Sequence, residues 1–347
     1  MTASGKRRMK AVLIQSPERY GEFLRKLEQS GIECIVMEFG SEEWIGFDYR
    51  TVDFLIFYPT FELSSNHPLA VYKAQDNIGH IHRNFPELGI YPDPRVTYYY
   101  NDKYRQFLFL RAHSFPMPET IPLSSGQAVE EAHRRLGYPM VIKNRFGAGG
   151  GAVFLAGNRG ELESFYRISH FDFMHLGALR FFYRFMANRV YLYLLVKERK
   201  MRYPFLSPPL LAQKFIPTDR DLKTVVGKGR VVEAHWRLQA DKGQWKVNID
   251  GGGIGQWSHV PQPAIDLSLR LAAGLSSSWL NIDLMPCEEG FLITEFSPVW
   301  HHYAYREKPT FVYKDDYNLS MSLEESLDLE KIIIQSFLEG GSREGPS

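Results

Sequence analysis

Short apolar runs alternate with amphipathic stretches along the first hundred residues. KAVLI is followed by RYGEFLRKLEQSG, in which Phe23, Leu24 and Leu27 share one helical face, and then by IECIVME. This pattern predicts a strand, a helix closed by Gly31, and a second strand. The run DFLIFYP at 53–59 predicts a third strand, so residues 1–100 are expected to form a small parallel α/β domain. Farther on, NDKYRQFLFLRAHSFPMPETIPL predicts a helix opened by Asn101 or Asp102, then a Pro-punctuated passage into an extended run. Residues 127–136 predict a helix ending at Gly137. Later, LLAQKFIP reads as a strand and KTVVGKGRVVEAHWRLQ as two β-rich runs joined by a hairpin turn at VGKGR. A helix over about 262–280 precedes strand-like NIDLM, a turn at CEEG and strand-like FLITEFSP.

Between these blocks lies PMVIKNRFGAGGGAVFLAG, residues 139–157. A Walker phosphate loop needs Lys-Ser or Lys-Thr after its last glycine, whereas Lys143 precedes the glycines here and Ala152 follows them. A dinucleotide fingerprint needs a helix next, and AVFLAGN is short, β-branched and closed by Gly157 and Asn158. The stretch therefore reads as strand, glycine loop, strand. Such a hairpin is either a loose turn or a flap whose backbone N–H groups approach phosphates, since glycine has no Cβ and tolerates φ > 0.

Composition narrows the field without deciding it. The chain has 347 residues, enough for two or three domains, with 44% hydrophobic and 23% charged residues, as in ordinary globular proteins. A net charge of +1 makes no global case for nucleic acid or anionic membrane. Cys34 and Cys287 are far apart and each beside apolar residues, which argues against a disulfide framework or a cysteine metal site and for a cytoplasmic home. VYLYLLV at 190–196, the longest apolar stretch, is too short to span a bilayer. The tail from 339 to 347 reads as disordered.

Taken in order, these segments resemble the ATP-grasp superfamily, in particular its branch of glutathione synthetases and RimK-like carboxylate–amine ligases. The resemblance rests on NDKYRQFLFLRAHSFPMPET, PMVIKNRFGAGGGAV, LLAQKFIP, VVGKGRVVEAHWRLQ with GQWKVNIDGGG, and the pair NIDLM and ITEFSP, and covers roughly residues 97–300. It implies an ATP-grasp fold, two α+β subdomains gripping ATP, preceded by the parallel α/β domain. The implied division is a central lid subdomain at 101–212 and a C-terminal subdomain at 213–338.

The resemblance also implies a site. Lys103, Lys143 and Lys223 match cations toward the phosphates, with Gly147, Gly149 and Gly150 in the grasping loop and Gln213, Lys214 and Ile216 along the adenine edge. Arg237 and Asn248 match catalytic positions, and Asp283 and Glu295 match ligands for Mg²⁺, or Mn²⁺. Independently, two acids on strands flanked by apolar neighbours are costly to bury unless paired or bound to metal, and hard oxygens suit Mg²⁺. Two departures stand out: the pattern has asparagine where this chain has Ser297, and more often arginine where it has Lys223.

From Lys143 to Gln213 the chain is longer than the pattern. The extra stretch, about 165–209, carries seven Lys/Arg against one Glu between 180 and 202, interleaved with Phe and Tyr. The leading expectation is an aromatic lid with solvated basic residues; the alternative is a surface for an acidic protein or carrier, nucleic acid being less favoured. His301 and His302 follow the second acidic strand; a histidine pair in a loop is usually no more than that, and the alternative is that they are placed to meet substrate. The implied activity is amide or peptide bond formation between a small-molecule or peptide carboxylate and an amine, through an acyl phosphate, with release of ADP and phosphate. An ATP-grasp kinase acting on a hydroxyl, or a nucleotide-binding partner protein without turnover, are the alternatives. A membrane partner is not expected, and the oligomeric state is open.

Overall fold

The computed structural model describes residues 8–16, 20–58, 68–147, 152–170, 206–239, 245–247, 253–299, 310–315, 318–322 and 328–340, with isolated helical positions between 183 and 194. Asn248, Gly149, Gly150, His301, His302 and nearly all of the basic insertion lie outside them.

Four strands, β1 (Lys10–Ile14), β2 (Glu33–Met37), β3 (Phe54–Ile56) and β4 (Gly89–Tyr91), form an all-parallel sheet in the order β2-β1-β3-β4. Both faces are covered, which explains why the runs are continuously apolar. Ala11 and Leu13 pack with Phe23, Leu27 and Phe54 on one side, while Val12, Ile14 and Leu55 pack with Trp44, Tyr49 and Ile78 on the other. The expected third strand is shorter than its apolar run, and β4 was not read from the sequence.

The C-terminal helix Leu329–Gly340 comes back to this domain. Leu329, Ile333 and Ile334 enter the same core as Ala11 and Phe23, Phe337 stacks on Phe54 with centroids 4.4 Å apart, and Asp328 pairs with Lys26. A span expected to be wholly C-terminal subdomain thus ends inside the first domain's core. Helix continues to Gly340, and Glu339, assigned to the tail, pairs with Lys228.

The central sheet contains β5 (Thr120–Leu123), β6 (Met140–Lys143), β7 (Val153–Ala156) and β8 (Leu210–Lys214), antiparallel in the order β5-β8-β6-β7. Helices Gly126–Leu136 and Arg159–His170 bury Val129, Ala132, Leu162 and Phe165 against it. Ser125 caps the first by accepting from the Ala128 N–H, and Gly137 leaves it at φ +68°. The expected division at residue 213 falls inside β8.

A second antiparallel sheet has β9 (Arg220–Gly227), β10 (Arg230–Leu238), β11 (Ile254–Gln256), β12 (Trp279–Cys287) and β13 (Gly290–Ser297), in the order β11-β10-β9-β12-β13. Lys228 and Gly229, at φ +52° and +75°, make the β9–β10 turn of the kind that matches strand twist. Helix Gln262–Gly274 covers one face, where Leu222, Trp236, Ile282 and Phe296 meet Ala264, Ile265 and Leu271. That helix was expected to reach about 280. It stops because Ser276 takes φ +50°, turning the chain into β12. A hairpin of β14 (Thr310–Asp315) and β15 (Asn318–Ser322) follows. Cys34 and Cys287 are free thiols, and among the described residues no helix is long and apolar enough to cross a membrane.

Candidate active site

Strand alternation builds the site floor. With Leu222, Trp236 and Ile282 committed to the covered face of the second sheet, their neighbours point the other way. Register then aligns them: Asp221 stands opposite Arg237, Lys223 between His235 and Asp283, and Asp283 opposite Glu295. One step along, Asn281 stands opposite Ser297. A bulge at Thr294 interrupts the β12–β13 ladder, so Thr294 and Glu295 both reach the cleft.

The charges on this floor are tightly paired. Arg237 donates two hydrogen bonds of 2.6 Å to Asp221 and one of 2.9 Å to Asp283 Oδ2, while Lys223 Nζ lies 2.8 Å from Asp283 Oδ1. Burial pushes the Asp283 carboxyl up, but the adjoining Arg237 and Lys223 overcome it and hold it well below the ordinary carboxylate range.

Helix Lys103–Ala112 forms one wall. Asp102 caps it, accepting from the N–H groups of Tyr104 and Arg105, and Gln106 exchanges two hydrogen bonds with the Phe296 backbone. That anchor sets Lys103 Nζ 3.7 Å from Glu295 Oε1. Lys103 also donates to the Gly147 carbonyl, and Asp102 accepts from Arg145 Nη2 at 2.7 Å. Glycine suits position 147, where φ is +131°. The first residues of the glycine loop are thus clamped to the helix start.

Lys143 ends β6 over the cleft and donates to the Thr294 carbonyl at 3.3 Å. Burial lowers its ammonium to about 8, opposed by Glu295 and reinforced by Lys103.

These groups line a cleft between the two sheets with a cavity volume of about 200 Å³. Its charged end holds Lys103, Lys143, Arg237, Asp283 and Glu295, and its walls include Val141, Val153, Phe215, Ile216 and Met285. Gln213 and Lys214 line it too. Lys223 is set behind Asp283, holding that carboxylate instead of facing the open space. Asp221 was passed over in the sequence although it precedes Lys223 by two on an alternating strand. Trp245 and Lys246, also in the lining, carried no signal beyond their place in the segment GQWKVNIDGGG.

Asp283 and Glu295 could hold a hard divalent ion. They are cross-strand neighbours, and Asp283 Oδ1 is buried with its Lys223 contact too poorly aligned for a hydrogen bond. Among the described residues no group of three His, Cys, Asp or Glu could hold a metal, so this pair would share its ion with phosphate and water oxygens.

No family model matches the chain. It is 26% identical over 201 residues to human N-acetylaspartylglutamate synthase A, covering 56% of this chain and 42% of that protein. It is 28% identical over 195 residues to mouse beta-citrylglutamate synthase B, covering 54% and 41%. The chain thus spans less than half the length of these relatives. Among solved structures, the ATP-grasp ligase PsnB in complex with precursor peptide PsnA2 and AMPPNP superposes with a TM-score of 0.58 at 13% identity, covering 96% of this chain and 98% of that one. The chain shares its overall fold, two α+β subdomains facing each other across the cleft, with that ATP-grasp ligase.

Proposed function

We propose that this chain is an ATP-dependent carboxylate–amine ligase. The observation that carries the reading is the convergence of Lys103, Lys143 and Arg237 with Asp283 and Glu295 at one end of a cleft whose walls elsewhere are apolar. A purine would lie against Val141, Val153, Ile216 and Met285, with its triphosphate running toward the cations. The relatives named as glutamate-containing amide synthases and the peptide-bound ligase support a small-molecule or peptide carboxylate and an amine as substrates.

Two displacements make up the reaction. A substrate carboxylate oxygen attacks the γ-phosphorus and the bond to the β–γ bridging oxygen breaks, releasing ADP. The amine then attacks the acyl phosphate, the C–O bond to phosphate breaks, and the amine proton passes to solvent. Lys103 and Lys143 offset the phosphate charge, and Arg237 stands where a guanidinium can follow an anion as it changes geometry. Asp283 and Glu295 would hold Mg²⁺ or Mn²⁺, which would supply positive charge against that developing on the transferred phosphoryl group. No side-chain nucleophile is required, because position and charge supply the catalysis.

The test is ADP release in a panel of acids and amines, followed by product mass. A mass gain equal to acid plus amine minus water supports the ligase. A phosphorylated product points to a kinase, and nucleotide binding without ADP release to a partner protein.

A narrower expectation separates the two positions on β13. Glu295→Gln should reduce turnover on the order of 10²-fold or more, as for loss of one preorganised electrostatic group. Ser297→Ala should stay near wild type, because the Ser297 hydroxyl is spent on Val299, donating to its carbonyl at 3.0 Å and accepting from its N–H at 3.2 Å. Equal losses in steady-state turnover would make Ser297 a ligand.

A further inference from the structure

A Mg²⁺-type ion takes about six oxygens at close range, and a second ion beside it needs its own donors. Five oxygen-bearing side chains stand on the relevant stretch of the floor: Asp283 and Glu295, one step along Asn281 and Ser297, and at the bulge Thr294, whose hydroxyl is spent on the Asp283 carbonyl at 3.1 Å. Ser297 is turned into a local loop with Val299. Asn281 is the remaining neutral donor, and its orientation is set, because its amide nitrogen donates to the Val299 carbonyl at 3.4 Å. Its Oδ1 is then aimed at Lys223, accepting from Nζ at 3.3 Å.

The Lys223 ammonium therefore already lies between Asn281 Oδ1 and Asp283 Oδ1, at 3.3 and 2.8 Å. Its side chain is 14% exposed. Its other register partner, His235, is held by Glu233 at 2.7 Å. Lysine presents there a compact point charge in place of a planar guanidinium fork.

We infer that Lys223 is a built-in second cation: its ammonium, held by Asn281 and Asp283, takes the place of a second divalent metal, so that the cleft loads one metal with each nucleotide. This inference rests on the proposed nucleotide and metal site.

The experiment is Mn²⁺ titration of the full chain saturated with AMPPNP, counted by EPR, with the same titration of nucleotide alone subtracted. The wild type is expected to bind one Mn²⁺ per nucleotide complex. The double variant Lys223→Ala, Ser297→Asn removes the ammonium and supplies an amide oxygen; it is expected to bind two, with spectra broadened by spin coupling at about 4 Å separation. Two Mn²⁺ in the wild type, or one in a folded double variant, overturns the inference and leaves the proposed function standing. No protein-dependent Mn²⁺ in either overturns both. Should the double variant fail to fold, the wild-type count still decides.

Discussion

Arg237→Met is expected to abolish turnover and to cost roughly 3–5 kcal/mol of stability, the range for breaking a buried ion pair from one side. The reason is geometric. Arg237 is 11% exposed and satisfies Asp221 and Asp283 together, so its loss leaves two carboxylates facing each other with only Lys223 between them and water. Structural and catalytic roles separate in the double variant Arg237→Met, Asp221→Asn. Removing one of the stranded charges should recover part of the stability in a denaturant melt while turnover stays absent. Recovery of activity along with stability would show that Arg237 serves the fold alone.

Lys143→Met is expected to behave in the opposite way. Nucleotide turnover should fall by about 10²–10³-fold, as for loss of a preorganised cation at a developing charge, while the melting temperature holds or rises. Its ammonium is held at about 8 mainly by burial, which means that folding disfavours the charged form. The sign of the pH response follows. Below about 8 folded and unfolded chains both hold the proton, and the penalty is present in full. Between about 8 and the unfolded value near 10.4 the unfolded chain holds the proton and the folded one releases it, so wild-type stability gains with rising pH. Lys143→Met should lack that gain. Over the same window wild-type ATP affinity should weaken, because the free protein no longer presents the charge. Equal stability slopes in the two proteins across pH 8–10, measured by urea titration, would contradict this account.

Much of the floor could be read before any coordinates because alternation is a local property. Asp283 and Glu295 stand out on strands whose other residues are apolar, and Lys143 marks the end of its strand. What escaped was set by register and by distant contacts. Thr294 reaches the cleft through a bulge, which no period-two pattern announces. Gln106 looked like an ordinary helix residue, yet it fixes the wall to Phe296 across 190 positions. The clamp between Asp102 and Arg145 joins a helix cap to a loop in another sheet, and each residue alone suggests only a cap or a solvated charge. The C-terminal helix was invisible as part of the first domain for the same reason: its amphipathic face states that it needs a partner, not which one.

That helix has a consequence for what a shortened chain could keep. Lys26 and Asp328 meet across 302 residues, and Phe54 is covered by a ring from the last described segment. The first domain's core is therefore closed by residues from the far end of the described chain, and without them the face around Phe54 stays apolar and uncovered. The strand pair that carries Asp283 and Glu295 lies in sequence between the two parts of that seal, so a chain cut after those strands would keep the acidic pair and leave the first domain's core open.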